Sequence, residues 1–223
     1  MTVARAVLAS FSEILALHVW EVCRLKRAAR QDRAGTRRRS LTGQPAPRAQ
    51  SVFLAGFMGA GKTSVGEALA AHLGWPFIDL DGRIEVRQQR SISDIFRDSG
   101  ESEFRRLESE ELQRVLAEVE GRAAVVALGG GTFVYPGNAH SLRNCGYTVF
   151  LDAPVELLWQ RAQADGARPL AASENHFRQL YAARHSRYME ADCCVQTGGR
   201  PLAEVVAEIA AGLPWATGEG EEQ

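Results

Sequence analysis

From Ser51 onward, apolar and polar positions follow two different periods along the chain. Four short apolar runs, SVFLAG, PFIDLD, AVVALGG and TVFLDA, begin at Ser51, Pro76, Ala124 and Thr148, and a longer segment of mixed polarity follows each run. Near-continuous apolar strands separated by helices are typical of a parallel sheet that is covered on both faces. The pattern therefore predicts four parallel strands with helical connections.

One of the connecting segments has a clear helical period. Its apolar side chains recur every three to four residues, at Phe104, Leu107, Leu112, Val115, Leu116 and Val119. The switch to helical periodicity after each strand predicts a doubly wound α/β domain, with helices on both faces of the sheet. In such sheets the ligand binds at the carboxyl ends of the strands. The residues that follow each apolar run are therefore the candidates for a functional site.

The first apolar run leads into GFMGAGKT, which matches G-x-x-x-x-G-K-[ST] between a predicted strand and a predicted helix. Gly56, Gly59 and Gly61 let the backbone turn so that its N–H groups point at phosphate oxygens, next to the positive end of the following helix. Lys62 would neutralise the outer phosphates, and Thr63 would offer a hydroxyl to magnesium. The motif predicts a site for ATP or GTP; a glycine-rich turn that binds nothing is the alternative.

Acidic and glycine residues end the next two runs. Asp79 and Asp81 are two residues apart, so in an extended segment both side chains point to the same face. Opposite a phosphate loop, such carboxylates can anchor magnesium through water and hold an attacking hydroxyl; helix capping is the alternative. Gly129, Gly130 and Gly131 form a backbone that can approach a small ligand closely and donate N–H groups to it.

Arg105 lies in GESEFRRLE, within the periodic helix. The spacing places it on the polar side, opposite Phe104 and Leu107, with Glu101 and Glu108 as neighbours at i−4 and i+3. On this reasoning alone Arg105 belongs to a solvated helix face.

Composition sets the class of protein and its compartment. A chain of 223 residues with 45% hydrophobic and 24% charged residues suits one compact domain with some spare residues. Four cysteines, at positions 23, 145, 193 and 194, form no CxxC pair, and the five histidines have no metal-ligand spacing. We therefore expect reduced thiols, a cytoplasmic protein and no zinc site.

The formal net charge of −1 conceals a division of charge. Residues 1–50 contain ten Lys/Arg and three Asp/Glu and carry +7, so the remainder carries −8. We divide the chain into a basic extension and linker at 1–49, a folded domain at 50–213 and an acidic tail at 214–223. The apolar run at 14–23 is too short to span a bilayer, which takes roughly 20 residues. A dispensable extension, a surface-binding or targeting helix and a basic RNA-binding arm remain open for residues 1–49, and the cluster lacks the aromatics that favour the last.

Six motifs, taken in order and with their spacing, resemble shikimate kinase. They are GFMGAGKTSVG, FIDLDGRIE, SISDIFRDSGESEFRRLE, LGGGTF, ARPL and RHSRYMEAD, and they extend from about Ser51 to about Leu213. The phosphate loop alone is generic, whereas its combination with the other five motifs is specific. The resemblance implies a P-loop kinase fold with a mobile lid around ADGARPLAASENH, and a monomer.

The resemblance also implies the nucleotide side of the site. ATP would bind Gly59, Ala60, Gly61, Lys62, Thr63, Ser64, Arg161 and Arg168. Thr63 would hold Mg²⁺ directly and Asp79 would hold it through water. Arg161 would pack on adenine, and Arg168 would reach the transferring phosphate from the lid. An adenine-side loop is expected within residues 195–201.

The acceptor side follows from the same resemblance. Shikimate would bind Asp81, Arg105, Gly129, Gly130, Gly131 and Arg184. The two arginines would hold the substrate carboxylate, and Asp81 would hold the hydroxyls and take the proton. Lys62, Asp81 and Arg168 would be catalytic. The implied reaction converts ATP and shikimate into ADP and shikimate 3-phosphate, a step of chorismate and aromatic amino acid biosynthesis, with no nucleic-acid partner and no membrane span.

Three departures from the family pattern leave alternatives open. RHSRY lacks the usual proline, which makes Arg187 a rival of Arg184 for the carboxylate. Ala127 offers no oxygen to a metal, and GGGTF places Thr132 and Phe133 near the acceptor, which raises the question of acceptor identity. A kinase for another polyol such as gluconate, a noncatalytic nucleotide-binding relative, and a nucleic-acid or membrane-binding module are the other classes.

Overall fold

The structure, a computed structural model, describes residues 50–164 and 173–215. These residues belong to one compact unit, Arg48–Gln223. The predictions for the basic extension, the acidic tail from residue 216 on, Arg168 and the central part of the lid, residues 165–172, concern residues outside the described part. The last three residues of the predicted lid segment, 174–176, are described and begin the helix Glu174–Tyr188.

A five-stranded parallel sheet forms the centre of the fold. Its strands are β1 (Ser51–Ala55), β2 (Phe77–Asp79), β3 (Val125–Ala127), β4 (Gly146–Asp152) and β5 (Cys193–Gln196), in the spatial order β2-β3-β1-β4-β5. The four predicted strands are confirmed. The fifth, CCVQ, was not predicted, because its sequence has no apolar run that separates it from a loop.

Helices connect the strands. Within the described residues they are α1 (Lys62–Leu73), α2 (Leu80–Gln88), α3 (Ile92–Glu118), α4 (Asn138–Cys145), α5 (Val155–Ala164), α6 (Glu174–Tyr188) and α7 (Leu202–Gly212). The central strand β1 is buried along its whole length, as expected for a parallel sheet that is covered on both faces. The predicted α/β class is confirmed, and the ends of β1, β2 and β3 meet at one edge of the sheet.

The long helix α3 forms as predicted but is not amphipathic in the expected way. All six periodic apolar residues, including Val119 just past its end, are buried. Glu108 and Glu111 lie on the same buried side, with only 1% of each residue exposed. The backbone also breaks at Gly100, whose φ of 79° and ψ of 174° are not helical, so that α3 consists of two helical pieces.

The paired aspartates are not arranged as predicted. Strand β2 ends at Asp79, and α2 begins at the next residue, so Asp81 lies in the first helical turn rather than in an extended segment. Asp79 is the N-cap of α2, and its Oδ1 accepts a hydrogen bond of 3.2 Å from the Gly82 N–H group. Capping satisfies an otherwise unpaired helix N–H group, which explains why the strand gives way to a helix at this point.

A buried carboxylate joins α2 to α3. Glu111 of α3 accepts hydrogen bonds from Arg87 of α2 at 2.6 Å and from Arg114 at 3.2 Å, and Arg83 of α2 lies 3.6 Å from it. Glu111 is buried while these arginines are partly exposed, so the arginines neutralise a carboxylate that would otherwise be buried without a counter-charge. These contacts therefore fix α2, which carries Asp81, against α3, which carries Arg105.

Three further predictions concern absences. Within the part of the chain that the structure describes, no helix is long and apolar enough to cross a membrane. The cysteines of that part, Cys145, Cys193 and Cys194, form no disulfide bond. Among the described residues, no cluster of three or more His, Cys, Asp or Glu side chains is arranged to hold a metal ion.

Candidate active site

The phosphate loop has the geometry of an anion cradle. Gly59 and Gly61 have φ values of 79° and 86°, which side chains other than glycine rarely adopt. Helix α1 begins directly after Gly61, and no side chain caps it. Its first N–H groups are therefore available to a phosphate, at the positive end of the helix dipole.

Lys62 closes the loop on itself. Its Nζ donates hydrogen bonds of 3.0 Å and 3.1 Å to the carbonyl oxygens of Gly56 and Phe57. The ammonium group is thereby held over the loop, where the outer phosphates of a nucleotide would lie.

Thr63, in the first turn of α1, contacts Asp79, at the end of β2. The Thr63 hydroxyl donates a hydrogen bond of 2.9 Å to Asp79 Oδ2, while Oδ1 of the same carboxylate caps α2. Asp79 therefore does cap a helix, as the alternative interpretation held, but it uses only Oδ1 for this. Its second oxygen, Oδ2, faces the phosphate loop.

A cavity of about 400 Å³ lies over the loop. It is lined by the predicted nucleotide residues of the described part, Gly59, Ala60, Gly61, Lys62, Thr63, Ser64 and Arg161, together with Asp79 and Asp81. Arg161 donates a hydrogen bond of 3.3 Å to the Gly59 carbonyl oxygen. Residues that are far apart in the sequence therefore surround one nucleotide-sized space.

The predicted adenine-side loop contributes two residues to this cavity. Thr197 and Arg200 line it, and neither was singled out from the sequence. The Thr197 hydroxyl donates to the Asp152 carbonyl oxygen at 3.1 Å, and Arg200 donates to the Gln196 carbonyl oxygen at 3.1 Å and to Glu208 at 2.5 Å. The loop is thus held to the ends of β4 and β5 and to α7.

The residue spacing predicted that Arg105 lies on a solvated helix face, and this prediction is wrong. Only 9% of the residue is exposed. Its Nη1 donates a hydrogen bond of 2.7 Å to Glu108, and its Nε and Nη2 lie 3.3 Å and 3.1 Å from one oxygen of Glu101. Burial lowers the pKa of Arg105, but the Glu108 charge and the hydrogen bonds raise it by more, so the net pKa lies above its ordinary value. The guanidinium is a permanent buried cation.

The glycines after β3 make room for the acceptor-side side chains. A Cβ on Gly131 would lie 2.5 Å from Arg105 Nη1, and a Cβ on Gly129 would lie 2.5 Å from Glu108 Oε1 and 2.6 Å from Asp81 Oδ1. These distances are shorter than real Cβ contacts. A side chain at either position would therefore displace the ends of these acceptor-side side chains, which is a second reason for glycine besides the predicted approach of a ligand to the backbone.

Glu108 is the residue that sequence reasoning placed wrongly, as an exposed neighbour of Arg105. Its buried carboxylate lies between Arg105 and the hydroxyl of Thr132, which donates to Oε1 at 2.6 Å. The sequence did contain a sign that Glu108 is buried, because it shares the three- to four-residue spacing of Phe104, Leu112 and Val115. A carboxylate on an apolar stripe needs a partner.

Helix α6 brings the second arginine to the glycine segment. Arg184 Nη1 lies 3.4 Å from the Gly130 carbonyl oxygen, which also accepts a hydrogen bond from the Tyr188 hydroxyl. Burial raises the pKa of Tyr188, so this hydroxyl stays protonated as a donor. The rival Arg187 has 66% of its side chain exposed and lies 3.4 Å from Glu190, so only Arg184 of the two points to the cleft. Thr132 and Phe133, expected beside the acceptor, are buried at 0% and 1% exposure.

Comparison with known proteins identifies the family. Residues 58–214 match the family model described as shikimate kinase. The shikimate kinase of Geobacter sulfurreducens is 44% identical over 164 residues, 72% of this chain and 89% of that protein. That of Persephonella marina is 36% identical over 161 residues, 72% of this chain and 96% of that protein.

Solved structures agree with these sequence matches. A shikimate kinase from Acinetobacter baumannii, in complex with shikimate, matches with a TM-score of 0.69 and 35% identity, over 73% of this chain and 91% of that one. The shikimate kinase from Aquifex aeolicus matches with a TM-score of 0.66 and 33% identity, over 74% and 96% of the two chains. The chain belongs to the shikimate kinase family and is a kinase with the P-loop fold.

Proposed function

We propose that this protein transfers the γ-phosphoryl group of ATP to the 3-hydroxyl of shikimate, which gives shikimate 3-phosphate and ADP. The observation that carries the proposal is that Asp81 connects two halves of one site. It lines the cavity over the phosphate loop and also lies beside Gly129, next to the Arg105–Glu108 pair. A hydroxyl bound by Asp81 would therefore face the end of a nucleotide in the loop.

The donor set of the nucleotide half fits magnesium. Thr63 and Asp79 present hydroxyl and carboxylate oxygens beside the loop, and such hard oxygen ligands suit Mg²⁺. Thr63 would hold the ion directly and Asp79 through water. The ion would neutralise phosphate charge, as Lys62 does with its ammonium group.

The chain's own residues supply positioning and charge. Phosphoryl transfer asks a protein mainly to align the two substrates and to stabilise the charge on the phosphoryl oxygens. Lys62 and the first N–H groups of α1 would bind the phosphates, and Arg168, outside the described residues, would add a second cation. Asp81 would orient the 3-hydroxyl and accept its proton, a smaller contribution to the rate than the charges.

The acceptor half selects a carboxylate. Arg105 and Arg184 both lie against the segment at Gly130 and Gly131, and guanidinium groups bind carboxylates with two parallel hydrogen bonds. Arg105 is buried and hydrogen-bonded to Glu108, so we expect the acceptor carboxylate to bind it in this position. A rigid ring with a carboxylate and adjacent hydroxyls meets this demand better than an open chain.

The acceptor is tested by ADP release with ATP and Mg²⁺. We expect shikimate to stimulate release, and gluconate and buffer alone to leave it near the background rate. Product analysis by ³¹P NMR should show a phosphomonoester at the 3-position. Equal stimulation by shikimate and gluconate would refute the assignment of the acceptor, and no stimulation by any of them would favour a noncatalytic relative.

A second test separates the two candidate arginines of α6. Arg184→Ala should raise the KM for shikimate about 30-fold or more, because the loss of one partner of a carboxylate pair costs about 2 kcal/mol or more. The KM for ATP should stay nearly unchanged. Arg187→Ala is the matched control, since this exposed side chain faces Glu190. A silent Arg184→Ala together with a damaging Arg187→Ala would show that the carboxylate binds one turn away.

A further inference from the structure

A buried threonine hydroxyl ends the hydrogen-bond chain of the acceptor half. Thr132 is 0% exposed, and its Oγ1 donates a hydrogen bond of 2.6 Å to Glu108 Oε1. The other oxygen, Oε2, accepts the hydrogen bond of 2.7 Å from Arg105 Nη1. The carboxylate is therefore shared between one neutral donor and one cationic donor.

The backbone fixes Thr132 on both sides. Its N–H group donates to the Gly129 carbonyl oxygen at 3.2 Å, and its own carbonyl oxygen accepts a hydrogen bond of 3.0 Å from the buried side chain of Asn138. The hydroxyl therefore has a defined position relative to the glycine segment. It holds Glu108 Oε1 at a set distance from Gly129.

Because Glu108 is shared between Thr132 and Arg105, only one N–H group of the Arg105 guanidinium pairs with Glu108. A carboxylate with both oxygens available pairs with a guanidinium through two parallel hydrogen bonds. Here Thr132 occupies Oε1, so Glu108 takes only Nη1 and leaves the edge formed by Nε and Nη2 to face Glu101. The Glu101 side chain is 52% exposed, so a carboxylate from solution can replace it on that edge.

We propose that Thr132 is a positioning residue that limits Glu108 to one hydrogen bond with Arg105 and so keeps the second edge of Arg105 for the substrate carboxylate. The inference deepens the proposed function and rests on it. Without the hydroxyl, Glu108 turns its second oxygen to Arg105, and the guanidinium follows it away from the cleft. The defect is in substrate affinity, because the hydrogen bonds of Thr132 join it to the acceptor half, to Glu108, Gly129 and Asn138.

The test compares Thr132→Val, which removes the hydroxyl at similar volume, with Thr132→Ser, which keeps it. We expect Thr132→Val to raise the KM for shikimate about tenfold, the effect of one hydrogen bond to a charged group. Its kcat and its KM for ATP should stay within about twofold of the unmodified protein, and Thr132→Ser should restore the KM for shikimate. Titration calorimetry with shikimate should show the same order of affinities, and Thr132→Ala repeats the removal if the valine variant does not fold.

A second buried threonine provides the matched control. Thr148 is also 0% exposed, and its hydroxyl donates a hydrogen bond of 2.6 Å to Asp192 at the other end of the sheet. Thr148→Val should lower the melting temperature to a similar extent while the KM for shikimate stays unchanged. An equal rise of KM in both valine variants would show a merely structural effect and overturn the inference.

The two hypotheses fail in different ways. If the unmodified protein shows no shikimate-dependent ADP release, the proposed function is wrong and the role of Thr132 fails with it. If the unmodified protein is active and Thr132→Val or Thr132→Ala has an unchanged KM for shikimate, only the role of Thr132 is wrong. A loss confined to kcat also overturns it, because positioning of Arg105 acts on substrate binding.

Discussion

Lys62→Ala is expected to lower kcat by about a hundred- to a thousandfold, the usual loss when one preorganised donor to a developing charge is removed. The Nζ atom, at 3.0 Å and 3.1 Å from the Gly56 and Phe57 carbonyl oxygens, is held in place before the nucleotide arrives. Its contribution therefore carries little reorganisation cost. Single-turnover ADP release with saturating ATP and shikimate measures the effect directly.

Lys62→Met is the matched variant, because it keeps most of the aliphatic stem and removes the charge. It should be as impaired as Lys62→Ala, and Lys62→Arg should recover only part of the rate, since the guanidinium differs from a compact ammonium group in shape. Circular dichroism should show an intact fold in all three variants. A kcat of Lys62→Met within about twofold of the unmodified protein would contradict the role of the charge.

Arg168→Ala is expected to lower kcat by at least about a hundredfold, because an arginine that reaches the transferring phosphate contributes roughly 10³ to 10⁵ in rate. This prediction comes from the sequence, since Arg168 lies outside the described residues. Affinity for ATP, measured without shikimate, should barely change. Arg168→Lys should restore only part of the rate, because an ammonium group lacks the planar fork that bridges two phosphate oxygens.

Arg178→Ala is a control for the loss of an arginine that is close to Arg168 in the sequence. Arg178 lies on α6 and forms exposed ion pairs with Glu156 at 2.7 Å and with Glu174 at 2.8 Å. Exposed pairs contribute little, so this variant should keep its kcat. If Arg168→Ala also keeps a kcat within about twofold, transition-state charge must be stabilised by Lys62 and the metal alone.

Local signals explain what could be predicted from the sequence. Four strands could be predicted because each is a short buried apolar run. Residues 59–64 could be assigned to one site because the phosphate loop is one continuous segment. The family resemblance already assigned Arg184 to the acceptor carboxylate, with Arg187 as its rival, and the structure places Arg184 rather than Arg187 against the glycine segment. The sequence separation of 54 residues between Arg184 and Gly130 leaves no local trace of this contact.

The failures have different physical causes, and one of them is packing between residues that are distant in sequence. Arg105 and Glu108 look like an exposed ion pair at i and i+3, yet both are buried because the glycine segment after β3 packs against them. Asp81 was expected in a strand, but the Asp79 cap begins a helix one residue earlier. Strand β5 escaped notice because CCVQ lacks the strong apolar run of the other strands.

The two oxygens of Asp79 connect the nucleotide half of the site to the acceptor half. Oδ2 bonds Thr63 in the helix that follows the phosphate loop, and Oδ1 starts the helix that carries Asp81. A ligand that changes the hydrogen bond of one Asp79 oxygen also changes the hydrogen bond of the other, since both oxygens belong to one carboxylate. If Asp79 transmits a change of this kind, ATP and shikimate are coupled ligands. Thermodynamic reciprocity then requires each to alter the affinity of the other by the same factor.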